Sequence, residues 1–313
     1  MSSHEHGHVG HGHSHVGGHS HAPAGFGRAF AIGIALNAAY VLAEAFYGLA
    51  THSLALLADA GHNLGDVLGL TAAWGASVLG TRKPGGRYTY GLRRTSILAA
   101  LGNAVLLLVV TGGIAWEALR RLAEPETTAG ATIMVVAAVG IAVNGITAWL
   151  FMSGRKGDLN IRGAFTHMAA DALVAAGVVV AGGLILWTGW QWLDPAISLV
   201  ISAVIVAGTW SLLRDSVDLS LDAVPNGIDL AAVGACLRRL PGVVEIHDLH
   251  IWGMSTTEAA LTAHLVRVDA TLDEGLVWRA CAEVRKLGVN HATFQVESPG
   301  MAQACELRPD DVV

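Results

Sequence analysis

Charged residues are scarce in this chain. They make up only 14% of its 313 residues, whereas 53% are hydrophobic. A soluble globular protein carries roughly 25% charged residues, so the composition of this chain is not that of an ordinary soluble protein. No basic patch suggests a nucleic-acid partner. No H-E-x-x-H pattern occurs, which argues against a membrane metalloprotease.

Cysteine is also rare. The three cysteines, Cys236, Cys281 and Cys305, form no C-x-x-C pattern and all lie in the polar C-terminal part of the chain. This argues against a disulfide framework and fits a reducing compartment.

Long apolar runs make up most of the chain. Six segments are each long enough for a membrane crossing of about 20 residues: Ala29–Leu49, Leu54–Leu79, Thr95–Ala118, Ala131–Met152, Phe165–Trp187 and Trp192–Leu212. The first follows a polar stretch and precedes further apolar runs, so it does not resemble a cleaved signal peptide. The sequence therefore predicts six transmembrane helices within residues 26–222.

Basic residues predict the orientation of these spans. Lys and Arg in short loops favour the cytosolic side. One side carries Arg28, Arg82, Lys83, Arg87, Arg93, Arg94, Arg155, Lys156, Arg162 and Arg214, and the other carries Arg120 and Arg121. Both termini are therefore expected in the cytosol.

The two ends of the chain are polar. Residues 1–25 are of low complexity and are expected to be disordered; their imidazoles suit collection of Zn²⁺, Ni²⁺ or Cu²⁺, although a simple solubilising tail is the alternative. These histidines are His4, His6, His8, His11, His13, His15, His19 and His21.

The pattern of residues 223–298 predicts a small α+β domain of order αββαβ. Its predicted elements are Asp229–Leu240, Val243–Trp252, Glu258–Val268, Thr271–Leu287 and His291–Glu297, and residues 299–313 read as a loose tail.

Two copies of His-x-x-x-Asp lie inside the apolar runs, as His62/Asp66 and His167/Asp171. Residues four apart share one face of a helix, so two such helices would supply two nitrogens and two oxygens, a set suited to tetrahedral Zn²⁺. Carboxylates are costly in a bilayer and tend to mark ion pathways. The pattern therefore indicates a metal path through a membrane.

Asn37 and Glu44 lie on one face of the first span. They suit either a hydrated path or proton relay, or hydrogen bonds between helices. The sequence leaves both interpretations open.

Several stretches together resemble the cation diffusion facilitator family, and its zinc-type branch in particular. They are SLALLADAGHNLGDVLGL, RYTYGLRRTSILAAL, THMAADAL, HDLHIW and HATFQVESP. The resemblance covers nearly the whole chain after residue 25. It implies a homodimeric secondary transporter, with six membrane helices and a cytosolic ferredoxin-like domain, that exports Zn²⁺ and often Cd²⁺ in exchange for protons. It also implies a transport site at His62, Asp66, His167 and Asp171.

The resemblance further implies regulatory zinc in the cytosolic domain, at positions matching His247, His264, Glu297 and His291. His250 belongs to the same HDLHIW stretch, and Cys305 can approach such a site from the tail. The loop between the second and third spans has no His or acidic residue, so no metal is expected there.

The expected function is therefore Zn²⁺/H⁺ antiport across a membrane, most naturally a bacterial inner membrane. Two alternatives stay open: a transporter that prefers Co²⁺ or Ni²⁺, which also accept imidazole and carboxylate, and a membrane zinc sensor that does not transport. A sensor has no need of the intramembrane carboxylates.

Overall fold

The computed structural model describes residues 26–80, 82–124, 126–152, 159–268 and 274–308. Its first six helices occupy the six predicted apolar segments, and several run some residues beyond the predicted ends. They are α1 Phe26–Ala50, α2 Leu54–Gly80, α3 Thr95–Ala123, α4 Gly130–Met152, α5 Leu159–Thr188 and α6 Leu193–Ser220.

Four of these helices are long and apolar enough to cross a membrane by length and composition: α3, α6 and the stretches Gly130–Leu150 of α4 and His167–Thr188 of α5. Within the described residues, the apolar stretch Ala35–Ala50 of α1 is shorter than these four. The helices α1 and α2 pack against this set, so all six form one bundle.

The bundle has a core of aliphatic side chains from five helices, including Leu56, Leu107, Ile133, Val178 and Ile205. Small residues let α4 and α5 approach closely. A Cβ atom on Gly182 would lie 2.9 Å from the Gly130 carbonyl oxygen and 3.0 Å from the Met134 amide nitrogen. A larger side chain at Gly182 would therefore push the two backbones apart.

One end of the bundle lies away from the C-terminal domain, and we call it the distal end. The amide nitrogen of Leu54, at the start of α2, lies 2.8 Å from Asp194 Oδ2 near the start of α6. Because α6 runs from this contact to the C-terminal domain, the α1–α2 turn belongs to the distal end. The turn includes His52, which adopts a left-handed backbone with φ 54°.

The C-terminal domain has the predicted order αββαβ. Its elements are α7 Leu230–Arg238, β1 Val243–Gly253, β2 Ala259–Arg267, α8 Glu274–Lys286 and β3 Val289–Glu297. The helix α7 begins after Asp229, whose side chain accepts hydrogen bonds from the amides of Ala231 and Ala232, as expected of an N-cap residue. The sheet order is β1-β2-β3, with β1 antiparallel and β3 parallel to β2.

The two faces of this sheet carry different side chains. Leu261, Ala263 and Leu265 of β2 belong to a core shared with α7 and α8. Strand side chains alternate between faces, so His264 lies on the opposite face. His247 pairs with His264, and Glu297 pairs with Val266, so both share that face.

The prediction of a loose tail after residue 298 is wrong for its first residues. Pro299–Gln303 form a short helix, α9, which begins after Ser298; the Ser298 side chain accepts a hydrogen bond from the Met301 amide. Ala302 is buried, and α9 packs against β2. Capping and burial of a small apolar residue hold this segment against the sheet.

The β1–β2 turn joins the domain to the bundle. Arg93, just before α3, forms an ion pair with Glu258, and Arg94 forms one with Asp222. The Thr256 amide donates a hydrogen bond of 3.1 Å to Ser96 Oγ. The cationic loop between α2 and α3 is therefore tied to the hairpin that carries His247 and His264.

Candidate metal sites

The two His-x-x-x-Asp pairs meet within the bundle, and we call His62, Asp66, His167 and Asp171 the quartet. Each imidazole lies closer to the aspartate of the other helix than to that of its own. His167 Nε2 is 3.1 Å from Asp66 Oδ2 and 3.5 Å from Asp171 Oδ2. His62 Nε2 is 3.5 Å from Asp171 Oδ1 and 3.8 Å from Asp66 Oδ2.

The quartet combines partial access with unsatisfied polar atoms. The Asp171 side chain is 3% exposed, whereas that of His167 is 38% exposed. Three of its buried atoms, His62 Nδ1, Asp66 Oδ2 and Asp171 Oδ2, make no well-aligned hydrogen bond within the described residues, although His167 Nε2 lies near both oxygens. Ligand atoms of His62, Asp66 and His167 all lie within 4.8 Å of one another. Two neutral imidazoles and two carboxylates in this arrangement suit a divalent cation such as Zn²⁺.

Glu44 and Asn37 have separate surroundings. Glu44 is fully buried and accepts hydrogen bonds from Tyr40 Oη at 2.8 Å and from Asn63 Nδ2 at 3.5 Å. Asn37 Nδ2 lies 3.7 Å from the Met168 sulfur of α5. Neither side chain belongs to the group of candidate metal ligands around His62.

Sequence reasoning missed Asp59, which is 1% exposed and lies beside Glu44. A usable signal was present, because Asp59 precedes His62 by three residues and so shares its helix face. An acidic residue in an apolar helix was itself the mark used to find Asp66 and Asp171.

A second group of candidate ligands lies on the face of the C-terminal sheet opposite α7 and α8, and we call His247, His264, Glu297 and Cys305 the C-terminal cluster. His264 Nδ1 is 3.0 Å from Glu297 Oε1, 3.2 Å from His247 Nε2 and 3.7 Å from Cys305 Sγ. His247, His264 and Glu297 are all buried. Imidazole, carboxylate and thiol are all zinc ligands, and Glu297 Oε2 has no hydrogen-bond donor in the described part of the chain. The residues thus fit a bound Zn²⁺.

Asp248 is a neighbour that sequence reasoning also missed. Its Oδ2 lies 3.4 Å from His264 Nε2, and its Oδ1 lies 2.8 Å from His250 Nε2. The register of β1 against β2 shifts between His247 and His250, and Asp248 has φ 51°. A β-bulge re-aims side chains, so strict alternation along the strand would not have brought Asp248 to His264.

The position of Cys305 depends on the tail. Arg308 binds Glu245 of β1 through two hydrogen bonds, of 2.9 and 3.0 Å. This guanidinium lowers the pKa of the Glu245 carboxyl. Both side chains are partly exposed, so the contact holds the tail near β1 only weakly.

The remaining predicted metal ligands are His291 and the histidines of the N-terminal tail. His291 is exposed near the start of β3, where it pairs with Ala260, and its ring contacts Tyr90 at a centroid distance of 5.8 Å. The C-terminal cluster therefore does not include it. The histidines of the N-terminal tail lie outside the described residues.

Family models match both parts of the chain. Residues 30–219 match the cation efflux transmembrane domain, and this range includes residues of all six helices of the bundle and the whole quartet. Residues 225–298 match the cation efflux protein cytoplasmic domain, which includes His247, His264 and Glu297. The chain belongs to the cation diffusion facilitator family. Members of this family are cation efflux transporters rather than enzymes.

Similar family members cover nearly the full chain. A metal cation efflux system protein, CzcD, of Cupriavidus metallidurans is 37% identical over 92% of this chain and 92% of its own length. The zinc transporter ZitB of Escherichia coli is 34% identical, again over 92% of each chain. A cadmium, cobalt and zinc/H⁺-K⁺ antiporter of Bacillus velezensis is 32% identical over 93% of this chain and 92% of its own.

Proposed function

We propose that this protein exports Zn²⁺ from the cytosol in exchange for protons, and that the quartet holds the cation during transport. The observation that carries the proposal is the convergence of two imidazoles and two carboxylates from α2 and α5, with His167 Nε2 3.1 Å from Asp66 Oδ2. Burying such groups in a membrane costs free energy, and ionisable residues at such positions tend to mark ion pathways. The names of similar proteins, a zinc transporter and a cadmium, cobalt and zinc antiporter, support the same substrate class.

Ligand chemistry favours Zn²⁺ over harder ions. Imidazole suits Zn²⁺, Co²⁺ and Ni²⁺, whereas Mn²⁺ and Mg²⁺ prefer sites made of oxygen ligands alone. A site with two nitrogens and two oxygens also matches the tetrahedral preference of Zn²⁺. Cd²⁺ is the expected second substrate, and a preference for Co²⁺ or Ni²⁺ is the main alternative.

Proton exchange follows from the same ligands. His and Asp bind a metal only when they are deprotonated, so protons and cation compete for the site. Access from the cytosol lets Zn²⁺ displace protons, and access from the distal end lets protons displace Zn²⁺. Rocking of helices around a fixed site would alternate these two states. His62 or His167 is the expected proton carrier, because imidazole titrates near neutral pH.

We further propose that the C-terminal cluster binds Zn²⁺ as a regulatory ligand and that the protein works as a homodimer in a bacterial inner membrane, with both termini in the cytosol. The cluster supplies nitrogen, oxygen and sulfur donors on one sheet face. The ion pairs Arg93–Glu258 and Arg94–Asp222 provide a contact through which the domain can influence the bundle. Regulation requires that zinc bind the active arrangement more tightly than the inactive one.

The test is metal flux into proteoliposomes that contain the purified full-length protein under an imposed pH gradient. Zn²⁺, Cd²⁺, Co²⁺, Ni²⁺ and Mn²⁺ would be compared, with Asp171→Ala as the control. We expect Zn²⁺ flux that depends on the gradient and disappears in the variant. Zinc binding without flux of any metal would contradict the proposal and support a membrane sensor instead.

A further inference from the structure

A second buried polar cluster lies beside the quartet, and its two carboxyl groups are on the side of the distal end. It consists of Tyr40 and Glu44 of α1 with Asp59 and Asn63 of α2, and none of these residues is more than 4% exposed. At 1.5 Å per residue, Asp59 lies about 8 Å and Asp66 about 18 Å along α2 from its distal end. His62 lies about 12 Å from that end, close to the level of Asn63, so Asp59 rather than the whole cluster lies on the distal side of the quartet.

The two carboxyl groups of this cluster, Glu44 and Asp59, face each other, and we call them the distal pair. Glu44 receives hydrogen bonds from Tyr40 and Asn63. Neither oxygen of Asp59 has a donor among the described residues, and the polar group that it meets at hydrogen-bond range is the Glu44 carboxyl. An ionised carboxylate can only accept hydrogen bonds. The two groups can therefore bond to each other only if one carries a proton.

Among the described side chains around the pair, no Lys or Arg can replace that proton. Within residues 35–80, α1 and α2 carry no Lys or Arg, and α4, which packs against α1, has no ionisable side chain between Gly130 and Met152. The charged groups that act on Asp59 from the other side are His62, Asp66 and Asp171 of the quartet. At the distal end, Arg121 of α3 pairs with Glu117 and Glu126, and Asp194 of α6 binds the start of α2.

Two buried carboxylates without a cation repel each other and lose their hydration, so such a pair keeps one proton. The distal pair is distinct from the quartet, because Glu44 contacts Tyr40, Asn63 and Asp59 rather than any of the four proposed metal ligands. It is also close enough to the quartet for the charges of His62, Asp66 and Asp171 to act on Asp59.

We propose that the distal pair is a proton-holding site through which protons from the distal side reach the quartet as the cation leaves. This inference rests on the proposed proton-coupled export and extends it to two residues outside the metal site. When the distal end opens, a proton from water binds the pair, and the proton already shared by Glu44 and Asp59 passes to a quartet group released by Zn²⁺. The first transfer takes a proton from hydronium in the distal water to the pair, and the second moves one proton from the pair to the base that Zn²⁺ has freed, so the pair ends with one proton as it began.

Tyr40 has a positioning role in this arrangement. Its hydroxyl donates to Glu44 Oε1 and lies against Gly140 of α4, where an added Cβ would clash with it. The bond fixes one oxygen of Glu44 and leaves the Asp59 side of the carboxyl group available for the shared proton. Tyr40→Phe would keep the ring and remove only this donor.

The test measures zinc and proton flux together in proteoliposomes of the full-length protein, with one indicator for Zn²⁺ and one for pH. In Glu44→Gln the new amide can donate to Asp59 without a shared proton. We expect zinc to bind the quartet with unchanged stoichiometry and the proton-to-zinc ratio to fall by about one, because the proton that the pair passes to the quartet in each cycle is lost. Glu117→Gln, which removes a distal carboxyl outside the cluster, is the matched control and should keep the wild-type ratio.

The outcomes separate this inference from the proposed function. Absence of zinc flux driven by the pH gradient in the wild-type protein would refute the proposed function itself. A wild-type ratio in Glu44→Gln, with active transport, would overturn only the distal pair as a proton site. Loss of zinc binding at the quartet in Glu44→Gln would also overturn it, because Glu44 would then belong to the cation site.

Infrared spectroscopy tests the pair without a transport assay and covers the case in which Glu44→Gln does not fold. A carboxyl group that holds a proton gives the C=O stretch of a carboxylic acid. We expect this band in the wild-type protein without zinc and a shift of the band in Tyr40→Phe, which loses a donor to Glu44. Absence of a carboxylic acid band at neutral pH would overturn the inference.

Discussion

Asp194 at the start of α6 accepts a hydrogen bond of 2.5 Å from Ser53 Oγ, which immediately precedes α2. The carboxylate also accepts from the Leu54 amide, and Ser53 Oγ accepts from the Leu56 amide at 3.3 Å. Ser53 and Asp194 are both buried. A residue of α6 therefore completes the cap of α2, the helix that carries His62 and Asp66.

Replacing Asp194 should destabilise the bundle. Asp194→Ala leaves buried donors at the start of α2 without an acceptor, and loss of a helix cap costs about 1 kcal/mol, with a range of roughly 0.5–2. We expect a lower midpoint of thermal unfolding in detergent, measured by loss of the monodisperse peak in size-exclusion chromatography. Asp218→Ala, an exposed position of the same helix, is the control. Equal midpoints for both variants would contradict a capping role.

Removing the charge of Asp171 should abolish transport without unfolding the protein. Asp171 is the most buried side chain of the quartet, and it lies 3.5 Å from each imidazole. Asp171→Asn keeps its shape but weakens its ability to hold a divalent cation. Zinc flux in proteoliposomes should fall to background, while the elution profile in detergent stays that of the wild-type protein. Ser202→Ala, another buried polar site, should transport normally. Zinc export by Asp171→Asn at the wild-type rate would exclude the quartet as the transport site.

Exchanging one imidazole for a carboxylate should change which metal is preferred. In His62→Asp the site has three carboxylates and one nitrogen, a set that suits harder ions such as Mn²⁺ better than the original ligands do. We expect the ratio of Zn²⁺ to Mn²⁺ flux to fall on the order of tenfold, equivalent to about 1.4 kcal/mol. Competition between the two metals in the same liposomes measures this ratio. An unchanged ratio would mean that His62 does not contact the cation.

The sequence predicted those parts of the fold and of the sites that follow a regular period. Six apolar runs predicted six helices, and the i,i+4 spacing predicted that His62 and Asp66 share a face. To predict the quartet, it was enough to assume that two such helices lie against each other. The position of Asp248 depends on a β-bulge, and that of Cys305 depends on α9 and on Arg308, which no periodic pattern reveals. The pairing of Glu44 with Asp59 depends on how α1 packs against α2, so spacing along each helix can mark either residue but not the pair.

The N-terminal histidines should matter only when zinc is scarce. A His-rich tail can raise the local concentration of metal but contributes no ligand to the quartet under our proposal. Deletion of residues 1–25 should leave the rate at saturating zinc nearly unchanged and at most weaken transport at low zinc. Zinc titration of the flux measures both. Complete loss of flux at saturating zinc in the deletion variant would contradict an accessory role.

The contact between Glu245 and Arg308 should control access to Cys305. The guanidinium lowers the pKa of the Glu245 carboxyl, so the contact is fully present above the ordinary pKa of a glutamate and is lost as pH falls through the lowered value. Glu245→Gln removes it at every pH. The tail should then separate from β1 more often and expose the thiol that lies 3.7 Å from His264 Nδ1.

Alkylation of Cys305 measures this exposure in a protein whose other cysteines carry Cys236→Ser and Cys281→Ser. We expect faster alkylation in Glu245→Gln than in the parent at neutral pH, and slower alkylation of the parent when zinc is present, because a metal-bound thiolate is withdrawn from the reagent. Glu306→Gln, a nearby position without a contact to Arg308 among those described, is the control. If zinc left the alkylation rate unchanged, Cys305 would not be a ligand, and the C-terminal cluster would reduce to His247, His264 and Glu297.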